Sequence, residues 1–96
     1  MKLSIVIVSF NTKTFLKQLL QSIKASTDKF TKEIIIIDNA STDGSAQLAT
    51  VKNHTNVGFA AANNQGIKQA QGDYLLLLNS DTKIFPDTLG KMIDFM

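Results

Sequence analysis

Three short apolar runs, each closed by a polar cluster, constrain this chain more than any other feature. They are Leu3-Ser4-Ile5-Val6-Ile7-Val8-Ser9-Phe10, Ile34-Ile35-Ile36-Ile37 and Tyr74-Leu75-Leu76-Leu77-Leu78. Continuous apolar runs of this length suit strands buried on both faces, as in a parallel sheet. The first two are rich in β-branched residues. The third is leucine-rich, but Gly72 before it and Asn79-Ser80-Asp81 after it favour a strand. Between the runs the period becomes helical. Phe15, Leu16, Leu19, Leu20 and Ile23 recur at helical spacing, with Asn11 or Thr12 as cap. Ser41, Thr42 and Asp43 offer caps for a second helix through Ala46, Leu48 and Ala49. Val51 to His54 suits a short strand, and Ala60 to Gln71 a helix rich in small residues. Pro86 and Asp87 suit the first turn of a last helix, with Leu89, Met92, Ile93 and Met96 on one stripe. The order β-α-β-α-(β)-α-β-α predicts an α/β domain, with a mostly parallel sheet and helices packed against it.

Composition narrows the chemistry. With 96 residues and 44% hydrophobic content, one packed domain is the natural reading. Cysteine is absent, which excludes disulfides, zinc fingers, iron–sulfur clusters and thiol catalysis. The 10 basic residues are all lysine and the net charge is only +2. The usual bidentate reader of guanine is missing, so no nucleic-acid partner is expected. No apolar run approaches the roughly 18–20 residues of a membrane span. The apolar start ends in Asn11-Thr12-Lys13 with no small-residue cleavage site, so it reads as a strand rather than a leader, and the protein as cytoplasmic.

In an open parallel sheet, ligands bind beyond the carboxyl ends of the strands. The residues there are Ser9-Phe10-Asn11, Asp38 to Ser45, Asn56-Val57-Gly58-Phe59 and Asn79-Ser80-Asp81-Thr82. Clusters scattered along the chain thus converge in space. Asp38 can accept hydrogen bonds from a base or ribose, or close an Asx-turn at the start of its loop. Asp43 reads as a helix cap. Asp81 can hold a hard divalent cation against a diphosphate, or serve a turn. Asn63 and Asn64 are unusual for a pure core helix. His54, the only histidine, has no sequence neighbour to pair with as a general base.

Four segments together resemble the first half of a family 2 glycosyltransferase with the Rossmann-like GT-A fold. They are Ser4 to Asn11, Ile36 to Ser45, Asn56 to Gly66, and Leu77 to Thr82, in the family's order. The resemblance implies that Ser9, Phe10 and Asn11 line the nucleotide base, and that Asp38 contacts base or ribose. It implies that Asn63 belongs to a segment closing over the nucleotide. Asp81 matches the last acid of the family's DXD motif, which holds Mg²⁺ or Mn²⁺ on the donor diphosphate. Asn79 stands in the motif's first position, as in rhamnosyltransferase-like branches. The implied donor is a nucleotide-diphosphate sugar of UDP or dTDP type. The implied acceptor of the full-length parent is a glycan or lipid-linked molecule, with the parent peripheral to the inner face of the membrane. Residues 1–96 then form the donor-binding half of a truncated GT-A domain. The family's general base and acceptor elements lie further along, so no catalytic residue is assigned, and transfer by this chain alone is not expected.

A second reading, from another class, is a non-catalytic nucleotide-binding or regulatory module. A receiver-like domain would need clustered acids after the first strand. A dinucleotide enzyme would need G-x-G-x-x-G there, and neither pattern is present. The leucine-rich third run, if left at a sheet edge, predicts a homodimer.

Overall fold

The computed structural model describes residues 2–25 and 31–80. In chain order it forms β1 (Lys2–Ser9), α1 (Lys13–Lys24), β2 (Thr31–Asn39), β3 (Val51–Asn53), α2 (Phe59–Gln69) and β4 (Tyr74–Asn79). A single 3₁₀ turn, Ser45–Leu48, precedes β3. The four strands lie in the order β3-β2-β1-β4 and every pairing is parallel. This is the α/β, Rossmann-like architecture that the sequence predicted. The last expected helix lies outside the described residues.

The sheet order explains why β1 is apolar throughout. From Leu3 to Ser9 every residue of this central strand is buried. Leu3, Ile5 and Ile7 face α1 and meet Leu16, Leu19 and Ile23, with Ile36 beside them. Val6 and Val8 face the other way and meet Ile35, Ile37 and Ala62 of α2. A right-handed crossover from β1 to β2 runs one way across the sheet, and one from β3 to β4 runs back. Helices on these two connections therefore land on opposite faces.

Three local expectations change. The second helix shrinks to one 3₁₀ turn. Thr50 N–H must bond Ile36 O at 2.8 Å as β3 begins, which leaves too few residues for more. The chain reaches that turn through Gly44, at φ +90°. The third run is not buried on both faces. Leu76 and Leu78 pack on the α1 side, whereas Leu75 and Leu77 stay exposed, because α2 lies over β1 and β2. Thr12 is the first cap of α1 in position only, since its side chain makes no capping bond there.

At the amino ends of the strands, Glu33 Oε1 accepts from Ser4 Oγ at 2.7 Å and from the Gln71 N–H at 2.9 Å. The Gln71 amide, then the Ser4 hydroxyl, holds the Glu33 carboxyl below its ordinary range. Polar contacts there close the α2–β4 connection and leave the opposite end of the sheet free for a site.

Candidate functional site

The site is built by strand register at the carboxyl edge. Val8 pairs with Asn79, Ser9 with Asp38 and Asn39 with Asn53. Successive side chains of a strand point to opposite faces. Asp38 therefore shares the α1 face with Ile36, and Asn39 shares the α2 face with Ile35 and Ile37. This parity sends two adjacent polar residues to different tasks.

Asp38 is 1% exposed. Its Oδ2 accepts from the Ser41 N–H at 2.9 Å, and its Oδ1 from the Ser45 hydroxyl at 3.3 Å. It closes an Asx-turn and anchors the loop that follows β2. Asp43 reaches across to α1. Its Oδ2 accepts from the Lys13 N–H at 3.0 Å, and its Oδ1 from the Ser45 N–H and hydroxyl. It thus caps α1 from a distant loop. The Ser45 hydroxyl and amide, with the Lys13 amide, lower its carboxyl to about 2.

Asn11 sits at φ +52°, a region that asparagine tolerates better than most residues. Its N–H donates to Ser41 Oγ at 2.9 Å, and its Oδ1 accepts from the Thr42 N–H at 2.8 Å. The loops after β1 and β2 are thereby joined. Ser9, fully buried, shares a 3.1 Å hydrogen bond with Thr12, which shares one of 2.6 Å with Ser80. Three hydroxyls tie the ends of β1 and β4 to the start of α1.

A cleft of about 320 Å³ opens above these ties. Val8, Phe10, Thr12, Asn79 and Ser80 line one side; Asn39, Asn56 and Phe59 line the other. Phe10 and Phe59 are exposed rings, and the polar lining is entirely amide and hydroxyl. A second hollow, of about 320 Å³, lies at the start of α1 beside Asn11, Lys13 and Asp43. Of the residues singled out in the sequence, Phe10 and Asn79 line the first cleft, and Asn11 lines the second. Ser9 and Asp38 lie beneath, in the framework. Asn63 follows Phe59 by one helical turn, on the same side of α2. It is 6% exposed, and its Oδ1 has no hydrogen-bond partner among the described residues. Asp81 lies outside the described residues. Among the described residues no group of three or more His, Cys, Asp or Glu side chains could hold a metal ion.

The sequence placed Asn39, Asn56, Phe59 and Ser80 in the strand-end clusters without giving any of them a role, and it offered Thr12 only as a helix cap. Asn39 had a signal, since it follows Asp38 at a strand end. Only the parity of the strand shows which of the two meets the cleft.

The sequence profile of glycosyl transferase family 2 matches residues 4–96. The chain belongs to that family. An uncharacterized glycosyltransferase of Haemophilus influenzae is 37% identical to it over 106 aligned residues, which span 98% of this chain and 42% of the relative. Among solved structures, S. aureus TarS 1–349 in complex with UDP superimposes with a TM-score of 0.88 at 27% identity. That match covers 99% of this chain and 32% of TarS 1–349. The same protein in complex with UDP-GlcNAc gives 0.86 at 26% identity, covering 99% and 31%. The mannosyltransferase PcManGT from Pyrobaculum calidifontis, in complex with GDP-Man and Mn²⁺, shares the fold at 22% identity and a TM-score of 0.76. It covers 84% of this family 2 chain and 28% of its own. The chain therefore spans less than half the length of these proteins. Among the described residues no helix is long and apolar enough to cross a membrane.

Proposed function

We propose that residues 1–96 are the donor-binding part of a family 2 glycosyltransferase that uses a nucleotide-diphosphate sugar of UDP or dTDP type. The observation that carries this reading is the cleft at the carboxyl edge, with two exposed rings and an amide-rich lining. Rings offer stacking surfaces to a base, and amides can both donate to and accept from its edge. TarS, with the same fold, is in complex with UDP and with UDP-GlcNAc. In this reading Phe10 and Asn79 touch the nucleotide. Ser9 and Asn11 shape the base-side turn, and Asp38 frames its loop through Ser41 and Ser45. The unpartnered Oδ1 of buried Asn63 supports a role for this residue in the segment that closes over the nucleotide, because a buried acceptor without a partner is costly.

The described residues alone do not make a metal centre. A magnesium-type site needs only one or two protein carboxylates when phosphates supply the rest. Asp81 is proposed as that carboxylate, for Mg²⁺ or Mn²⁺, with Asn79 before it contributing a neutral amide. When bound, the cation would neutralise charge on the leaving diphosphate. The acceptor is proposed to be a glycan or lipid-linked molecule, reached by the full-length protein on the cytoplasmic side of the membrane. A general base is required to deprotonate it. No carboxylate or histidine lines the cleft among the described residues, so transfer by this chain alone is not expected. The same observation favours, as a second reading, a nucleotide-binding module without catalysis.

Titration calorimetry with UDP and dTDP, with and without Mn²⁺, tests the proposal. Metal-enhanced binding is expected, and Asp81→Ala should abolish the enhancement. Absence of binding at millimolar nucleotide would reject the donor site. Equal Mn²⁺ enhancement in Asp81→Ala would reject the metal role alone.

A further inference from the structure

The two sides of the cleft are held differently. Val8 and Asn79 sit in paired strands. Asn56 to Gly58, on the other side, lie in neither helix nor strand. Among the described residues, both hydrogen bonds that tie Val57 and Gly58 to the sheet come from one side chain. Asn39 Nδ2 donates to Gly58 O at 3.2 Å, and its Oδ1 accepts from the Val57 N–H at 3.4 Å. The partners fix the orientation of the amide, since a backbone N–H only donates and a carbonyl only accepts. Asn39 Oδ1 also accepts from Asn53 Nδ2 at 3.0 Å. Asn53 in turn exchanges two hydrogen bonds with Gln65 of α2, at 2.8 and 2.9 Å. One buried amide thus links β2, β3, α2 and the Asn56–Phe59 side of the cleft into a single frame. Gly58 stands at φ +88° as the first cap of α2, a conformation that needs glycine and offers no helix bonds before it.

We infer that Asn39 is a positioning residue, an amide clamp that sets the distance between Asn56–Phe59 and the strand ends, and so the grip of the cleft on its ligand. The clamp needs a donor and an acceptor in one side chain. An aspartate at this position has the same shape and keeps the acceptor, but it turns an oxygen toward the Gly58 carbonyl. Only its protonated form regains a donor. Burial and the facing carbonyl both favour that form. The clamp holds whether or not the ligand is a nucleotide. Its effect on UDP rests on the function proposed above.

The test is Asn39→Asp, read at about pH 8 and about pH 5, in the full chain. Among the described residues, the charged or titratable groups that flank Asn39 and its partner Asn53 along the strands are Asp38 on the opposite face of β2, Lys52 on β3 and His54 after it. His54→Gln in both backgrounds removes the histidine titration. The backbone ¹H–¹⁵N resonances of Val57, Gly58 and Phe59 should shift and broaden in the variant at about pH 8, and return to wild-type positions at about pH 5. UDP affinity relative to wild type should fall about tenfold and recover in parallel, as expected for a buried hydrogen bond lost and regained. Asn39→Ala should disturb the same resonances equally at both pH values, and it stands in if the aspartate variant unfolds at the higher pH. Wild-type resonances in Asn39→Asp or Asn39→Ala at about pH 8 would overturn the clamp, as would a folded aspartate variant that does not recover at about pH 5. A wild-type chain that fails to bind UDP would reject the nucleotide reading, while the resonances still decide the role of Asn39.

Discussion

Asp43 shows how one side chain carries long-range order into a loop. It holds the start of α1 and the 3₁₀ turn at once, through the Lys13 and Ser45 amides and the Ser45 hydroxyl. Its carboxyl is lowered from 3.8 to about 2, so the folded chain binds that proton more weakly than the unfolded chain does. The stabilisation is complete above the unfolded value and fades as pH falls toward the folded one. Asp43→Ala should therefore lower the melting temperature by a few degrees at neutral pH. Thermal melts from pH 7 to pH 2 should show the difference narrowing below about pH 4 and closing near pH 2. A constant difference down to pH 2 would show that the charge is not what matters. The sequence marked Asp43 as a cap of the element beside it, and its bond to the Ser45 N–H serves that 3₁₀ turn. The α-helix it also caps begins 30 residues earlier, at Lys13. No local pattern carries that pairing.

α2 lies close enough to β1 that side-chain size decides its fit. Ala62 is fully buried, and a Cβ placed on Gly66 would overlap Cγ1 of Val6. The contact is a small residue received by a β-branched one, on a central strand with no room to shift. Gly66→Ala should destabilise the chain by about 1–3 kcal/mol through overpacking, despite alanine's higher helix propensity. Adding Val6→Ala should recover most of the fit. In a urea-unfolding cycle, the double variant should lose less than the sum of the singles. Strict additivity would mean that the two residues do not press on each other. The richness of this segment in small residues was legible from sequence as a sign of close packing. The partner was not, because Val6 is distant in the chain and was only one of several valines and isoleucines.

Across the whole molecule, the described sheet is asymmetric. β1 is covered on both faces, while Leu75 and Leu77 of β4 are 39% and 45% exposed. Among the described residues, β4 is also the last strand of the sheet on that side. An apolar edge strand invites pairing with another chain. A homodimer at micromolar concentration, using this edge or face, is the expected outcome, since two-fold pairing is the commonest closed arrangement. Light scattering checks it directly. Leu77→Lys should shift the chain to monomer with little loss of stability, because the replaced side chain is half exposed. A wild-type monomer at high concentration, or a Leu77→Lys dimer of unchanged affinity, would remove β4 from the interface.

The alternation of apolar runs with helical periods was enough to determine the α/β class and the collection of polar clusters at the carboxyl edge. Both follow from local periodicity, which is written residue by residue. The four motif segments carried the family by resemblance, since each is a contiguous stretch of sequence. What each polar residue does at that edge was left to the tertiary structure. Asp38 and Asn39 are neighbours in sequence, yet the pleat sends one under the loop and the other to the cleft. Which side is buried framework and which side is cleft depends on where α1 and α2 cross the sheet. The second helix failed for a related reason. Its capping residues were real, but they served α1 and Asp38, and the need of β3 to pair with β2 took the remaining chain. Propensity describes what a segment can form alone; hydrogen-bonding partners brought from elsewhere decide what it forms here.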